Sequence, residues 1–199
     1  MITFINNDKN FIPMQMLEEK YNEALSRNQE LIQAASVASF SSSLNEVDSR
    51  FVNIKYIKDN NIIFFTNYNS PKSKQFIEHD QVALTLFWSK INVQIRIQGK
   101  IKKTSRKYNI NYFKKRESQK NVLAIASDQS KEISSYKAML EKYDTTLMDL
   151  NSYECPEYWG GFIIEPYKYE FWKGHKNRLN YREEFKLIEN KWHQRILQP

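Results

Sequence analysis

Five segments between residues 36 and 103 repeat their apolar residues at every second position, and this periodicity constrains the chain more than any other feature. In VQIRIQGKIKK (93–103), Val93, Ile95 and Ile97 face one way while Gln94, Arg96 and Gln98 face the other. Alternation of this kind buries one face of a pleated strand and leaves the other to solvent or a partner. SVASFS (36–41), RFVNIKYI (50–57), NIIFFTN (61–67) and VALTLFW (82–88) read as strands too. GFIIEP, YEFW, EEFKLIE and WHQRIL resume the pattern after residue 160. DNN at 59–61 reads as a hairpin turn between the second and third strands.

Two stretches break the alternation. In residues 14–35, Leu17, Tyr21, Leu25, Ile32 and Ala35 recur at three- and four-residue steps, which predicts a helix. Residues 104–146 read as helical in three pieces, the last starting at Ser130 as N-cap with Lys131 and Glu132 in its first turn. With 41% hydrophobic residues the chain can build a core at this length. We find no repeat and no convincing linker. The expected fold is mainly β with helices (α+β): one domain over residues 1–199, an antiparallel barrel with an N-terminal helical segment (1–35) and a helical insertion (104–146).

The formal net charge of +7 points to an anionic partner: nucleic acid, a phosphorylated small molecule or a membrane surface. Cys155, the only cysteine, can form no intrachain disulfide, and this fits a reducing, cytoplasmic compartment. MITFINNDKN is polar by its sixth residue and does not read as a secretory signal. No apolar run approaches the length of a membrane span. His79, His175 and His193 lie in unrelated contexts without metal-ligand spacing, so no metal site and no Ser-His-Asp set is expected.

Six short motifs carry chemistry. In FFTNYNSPKSKQF (64–76) a strand runs into a helix with Ser70 as N-cap and Pro71 as first residue. Free N–H groups there, with Lys72 and Lys74, attract anions, although an ordinary solvated turn reads the same way. In SRFVNIKY (49–56), Arg50 and Lys55 fall on opposite faces of a regular strand. They reach one ligand only through a bulge, a strand end or a second subunit. Tyr112 and Arg116 in NYFKKRES stand at i and i+4 and form either a phosphate grip or a surface pair. SDQS (127–130) offers polar groups at a helix start. The paired glycines of EYWGGF require positive φ, a close backbone approach or a bulge. EFWKGHKNRLNYR (170–182) reads as a solvated basic hairpin or as the wall of an anion site, with Gly174 allowing a tight turn after Trp172.

The order of these motifs, closed by WHQRILQP, closely resembles the pyridoxamine 5'-phosphate oxidase family over roughly residues 20–199. WGGF and the Trp-x-Gly…Arg-Leu-x-x-Arg block are its most specific parts. The resemblance implies an antiparallel split β-barrel that forms a homodimer with FMN between subunits. It implies FMN contacts from Arg50, Lys55, Phe65, Thr66, Lys72, Gln94, Gln129, Ser130, Trp172 and Arg182. It also implies a substrate site of Lys55, Tyr112, Arg116, Lys120, Arg178 and Asn180, with Arg178 beside the pyridine ring as the catalytic arginine. The chain departs from the family pattern at four places. Pro71 stands for an arginine, Lys120 for a serine and Asn180 for a histidine, and no N-terminal Arg-x-x-Tyr segment is visible. The implied activity is oxidation of pyridoxamine or pyridoxine 5'-phosphate to pyridoxal 5'-phosphate, with O2 reduced to H2O2. The alternatives are an FMN enzyme with another substrate and, from a different class, a basic nucleic-acid-binding β-barrel. The family reading needs no nucleic acid, membrane or metal.

Overall fold

The computed structural model describes residues 1–148 and 154–199. Its strands are β1 (Thr3–Ile5), β2 (Ala34–Ser41), β3 (Glu46–Lys58), β4 (Asn61–Asn67), β5 (Gln81–Trp88), β6 (Val93–Lys103), β7 (Trp159–Lys173), β8 (Tyr181–Ile188) and β9 (Lys191–Ile196). Its helices are α1 (Ile12–Ser26), α2 (Pro71–Glu78), α3 (Arg106–Lys115), α4 (Ser118–Ala126) and α5 (Tyr136–Met148). Following the pairings from β3 through β2, β5, β6, β7 and β4 returns to β3. Six antiparallel strands therefore close a barrel without a free edge. β1 adds to β3 in parallel, and β8 and β9 extend the sheet beyond β7, giving the split barrel expected from the sequence.

The alternation of apolar residues fixes which side of each strand faces in. Val93, Ile95, Ile97 and Ile101 of β6 are buried in a cluster with Ile54, Ile62, Phe64, Leu84, Leu86, Phe162 and Ile164. α1 packs Met14, Leu17, Tyr21 and Ala24 into this cluster. Tyr21 is fixed at both ends, since its hydroxyl accepts the Ile2 N–H at 3.0 Å and its ring meets Trp88 edge-on. The hairpin between β3 and β4 turns at Asp59 and Asn60, both in left-handed conformation, as a two-residue turn with matching twist requires.

Three sequence expectations are corrected. The helix expected over 14–35 ends at Ser26. Asn28 and Leu31 turn through positive φ, and Ala34–Ser41 pairs with β3, so the apolar spacing of Ile32 and Ala35 reflects barrel burial. GFIIEP and YEFW form one 15-residue strand, β7, whose register shifts opposite Gln98/Gly99 beside Pro166. Its first half pairs with β4 and its second with β8, so this strand carries the chain from barrel to extension. Ser130 caps no helix. It occupies a left-handed turn (φ 68°), while α5 starts six residues later, at Tyr136, with Ser135 Oγ accepting the Ala138 N–H. Gly174 needs no positive φ. It lies against Asn92, whose side chain fills the space that a Cβ would occupy and whose carbonyl accepts its N–H.

A second, smaller apolar cluster holds Phe113 of α3, Cys155 and Trp159, with Phe65, Tyr112, Ile125 and Tyr158 against it. It fastens the helical insertion to the rims of β4 and β7.

Candidate active site

Between β3, the end of β4, the start of α2 and the end of α3 lies an open cavity of about 800 Å³. This is within the range of small-molecule sites. Arg50, Lys55, Phe65, Thr66, Lys72, Tyr112, Arg116, Lys120, Gln129 and Ser130 all line it. Ten residues from separate segments between Arg50 and Ser130 thus meet at one hollow. On β3 the register against β4 slips between Ile54 and Tyr56, with Lys55 as the extra residue. The cavity takes residues of both parities from this strand, Arg50 and Val52 as well as Phe51, Asn53 and Lys55, so opposite faces do not keep Arg50 and Lys55 apart.

Lys72 is the most confined cation of the cavity. It stands in the first turn of α2, 8% exposed, and its Nζ donates to Ser70 Oγ at 3.1 Å. Burial lowers its pKa to about 8, with Arg50 adding to the effect. Ser70 is the N-cap by backbone conformation. Its hydroxyl, however, donates to the Asn67 carbonyl and takes no N–H of the helix, so the first-turn N–H groups are left free of side-chain caps. Pro71 supplies no donor there and fits the first helical position. The Arg50 guanidinium reaches Ser39 Oγ at 2.6 Å, Gln75 Oε1 at 2.8 Å and Asp48 at 2.5 Å.

A second group of cations comprises Lys55, Arg116 and Lys120. Burial, then the charges of Lys120 and Arg116, lowers the Lys55 pKa, and burial also lowers that of Arg116. α3 ends at Lys115, so Arg116 is its C-cap, in extended conformation and not on the helical face. Its guanidinium donates to the Lys120 carbonyl and Asn121 Oδ1 and lies 5.0 Å over the Trp159 ring. Lys120 pairs with Glu117 at 2.8 Å. Burial raises the Tyr112 hydroxyl to about 12, so it is a neutral donor at physiological pH.

Aromatic rings form one wall. Tyr112 stacks on Phe65 at 3.7 Å, and Phe65 lies parallel to Trp159 at 5.3 Å. The paired glycines make room for this. A Cβ on Gly161 would stand 2.7 Å from Thr104 Oγ1 and 3.1 Å from Phe65, and one on Gly160 would overlap Tyr68 Oη and Asn109 Nδ2. Register against β4 is regular at both, so close approach, and not a bulge or positive φ, is what these glycines serve. Gln129 closes the floor, its Oε1 accepting from Thr66 Oγ1 at 3.2 Å.

The C-terminal residues assemble elsewhere. Gln94, Trp172 and Arg182 stand directly opposite one another across β6, β7 and β8 and share one face. Arg182 is held by Glu170 through Nε at 3.0 Å and Nη2 at 2.9 Å. Arg178 sits exposed in the turn before β8 with φ 61°, and Asn180 Oδ1 accepts the His175 N–H at 3.0 Å. None of these five lines the cavity of its own chain.

Sequence reasoning missed Asp48, Ser39, Gln75 and Glu170. Ser39 and Gln75 are set by barrel register and helix docking, which leave no motif. Glu170 had a signal: a carboxylate in the apolar strand YEFW, buried here between Arg96 and Arg182. Among the described residues no cluster of His, Cys, Asp or Glu could hold a metal, and no helix is long and apolar enough to cross a membrane.

Comparison with known proteins bears on the whole chain. Residues 17–145 match the family model described as pyridoxamine 5'-phosphate oxidase, and residues 159–199 match that of the pyridoxine 5'-phosphate oxidase C-terminal dimerisation region. A pyridoxine/pyridoxamine 5'-phosphate oxidase of Actinobacillus pleuropneumoniae serotype 5b is 34% identical over 188 residues, covering 94% of this chain and 89% of its own. Pyridoxine/pyridoxamine 5'-phosphate oxidase 2 of Hydrogenovibrio crunogenus is 34% identical over 197 residues, covering 98% and 91%. Among solved structures, PhzG from Burkholderia lata in complex with tetrahydrophenazine-1-carboxylic acid superposes with a TM-score of 0.89 at 24% identity, covering 94% of this chain and 92% of that one.

Proposed function

The chain belongs to the pyridoxamine 5'-phosphate oxidase family, and from that premise we propose that it is an FMN-dependent oxidase making pyridoxal 5'-phosphate. Pyridoxamine 5'-phosphate, O2 and water would give the aldehyde, ammonia and H2O2. Pyridoxine 5'-phosphate and O2 would give the aldehyde and H2O2. The working unit is a single-domain chain paired in a cytoplasmic homodimer, with FMN held at the interface.

The charge of the cavity carries this reading. Six cationic side chains line it against two carboxylates, Asp48 and Glu117, which are already paired with Arg50 and Lys120. Lys55, Lys72, Lys115 and Arg116 form no ion pair among the described residues, so the cavity is short of negative charge. A phosphorylated, flat, aromatic group fits such a place. Lys72, Arg50 and the start of α2 would hold the FMN phosphate, with Lys55, Phe65, Thr66, Gln129 and Ser130 along the flavin. Gln94, Trp172 and Arg182 would reach it from the partner subunit. FMN, when bound, supplies a two-electron acceptor that O2 can reoxidise. Lys55, Tyr112, Arg116 and Lys120 would grip the substrate phosphate, with Tyr112 donating as a neutral phenol. Arg178 and Asn180 would lie over the pyridine ring and orient the reacting carbon.

Lys120 and Asn180 favour a second reading on the same fold, an FMN oxidoreductase with a different substrate. Purified protein separates the possibilities. It should be yellow, release FMN on heating, and produce aldehyde and peroxide from either vitamer phosphate. Bound FMN without turnover of either compound leaves the second reading. A colourless protein that FMN cannot reconstitute, yet binds nucleic acid in a salt-dependent way, overturns both.

A further inference from the structure

Arg50 and Lys72 reach the cavity in different electrostatic states. Lys72 has Ser70 Oγ for a partner and no carboxylate. Arg50 is saturated on both terminal nitrogens. From behind, its Nη1 donates to Ser39 Oγ and, at 3.4 Å, to the Val37 carbonyl, and its Nη2 to Gln75 Oε1, and none of Val37, Ser39 and Gln75 lines the cavity. From the cavity side, Nη2 also donates to Asp48, which is a lining residue with a side chain 56% exposed. The buried neutral partners are built into the barrel and α2. The exposed carboxylate belongs to the outer end of β3, where the sheet is not constrained by core packing.

We infer that Asp48 is a resident competitor for the phosphate at Arg50: an incoming phosphate takes the guanidinium from Asp48, while Ser39 and Gln75 keep it in place. The inference rests on the reading that a ligand phosphate is seated at Arg50 and Lys72. Arg50 cannot give a bidentate contact on its cavity side while Nη2 is shared with Asp48. The displaced carboxylate then faces a dianion of like sign. Asp48 therefore weakens phosphate-dependent binding, the opposite of what a ligand-gripping or merely structural residue does. Because the Asp48 side chain is 56% exposed and Arg50 keeps its Ser39 and Gln75 partners, loss of the pair costs the free protein little.

The test is flavin titration of apo-protein, with FMN and with riboflavin, which lacks the phosphate. Asp48→Asn should bind FMN about two- to fivefold more tightly than wild type, the range for a surface ion pair, with riboflavin affinity unchanged. The gain should vanish in an Arg50→Gln background, since Asp48 acts through Arg50. Three results overturn the inference: FMN affinity unchanged or weaker in Asp48→Asn, an equal gain for riboflavin, or a gain that persists without Arg50. If wild type binds FMN no better than riboflavin, the phosphate is not seated here, and the underlying reading falls along with the inference.

Discussion

Tyr112 lies flat on Phe65, with ring centroids 3.7 Å apart and planes 11° from parallel. The stack continues to Trp159, over which the Arg116 guanidinium rests. One residue each from α3, β4 and β7 thus fixes where α3 ends, and Arg116 is placed by that end. Phe65→Leu keeps an apolar side chain but removes its two closest stacked pairs, with Tyr112 and Trp159. We expect a loss of about 1–3 kcal/mol, at about 0.5–1.5 kcal/mol per pair, read as a lower midpoint in chemical denaturation. An unchanged midpoint would make the stack incidental.

Lys72 gives flavin binding a pH dependence of defined sign. Its folded pKa, about 8, lies below the ordinary value of 10.5, because burial and Arg50 disfavour the charge. Between those values the unfolded chain holds a proton that the folded one has released. Stability of the ligand-free protein therefore rises with pH from about 8 to 10.5, and below pH 8 the full cost of the buried charge is present. A phosphate beside Lys72 restores the charge, so FMN affinity should fall as pH rises through 8. Lys72→Arg should flatten that decline. Lys72→Ala should weaken FMN by about ten- to a hundredfold, as loss of a charge-assisted contact does, while stabilising the apo-protein at pH 7. Arg50→Ala should weaken FMN to a similar extent. Fluorescence titration from pH 6 to 10 checks these, and a flat profile for wild type would refute the role of Lys72.

Arg178 combines strain with exposure. Its φ of 61° is a conformation that glycine adopts freely and arginine does not. Arg178→Gly should raise stability by about 1 kcal/mol while turnover of both vitamer phosphates collapses. Arg178→Ala should lose turnover without the gain in stability. Melting temperature and peroxide production, measured together, decide. Equal turnover in all three proteins would return Arg178 to a solvated turn. With Asn180 in place of a titrating histidine, turnover should vary less between pH 5 and 8 than in a histidine-bearing relative.

The glycines separate into two classes. A Cβ on Gly160 meets Tyr68 and Asn109, which are joined by a 3.0 Å hydrogen bond and hold the β7 backbone through Gly161. The three atoms nearest a Cβ on Gly174 all belong to the side chain of exposed Asn92. Gly160→Ala should therefore destabilise by about 1–3 kcal/mol, the cost of overpacking, and Gly174→Ala by less. Thermal unfolding that ranks them the other way would contradict this geometry.

What the sequence alone determined was the barrel and ten of the residues that line the cavity. Strand alternation is local, and in 93–103 it specified both the strand and its buried face, because a period of two has only one way to hide Val93, Ile95 and Ile97. Motif order likewise brought Arg50, Lys72, Tyr112 and Arg116 together before any coordinates did. Tertiary structure decided what local pattern cannot encode. Ile32 and Ala35 kept a helical spacing, yet barrel burial drew them into a turn and a strand. The bulge at Lys55 came from the register against β4, a long-range pairing that local alternation does not encode. Ser39 and Gln75 met Arg50 only because β2 and α2 packed against it, whereas Asp48 stands two residues before it on the same strand. Gln94, Trp172 and Arg182, though aligned across three strands, lie outside the cavity of their own chain, because a sheet extended past its barrel presents that face to whatever packs on it next.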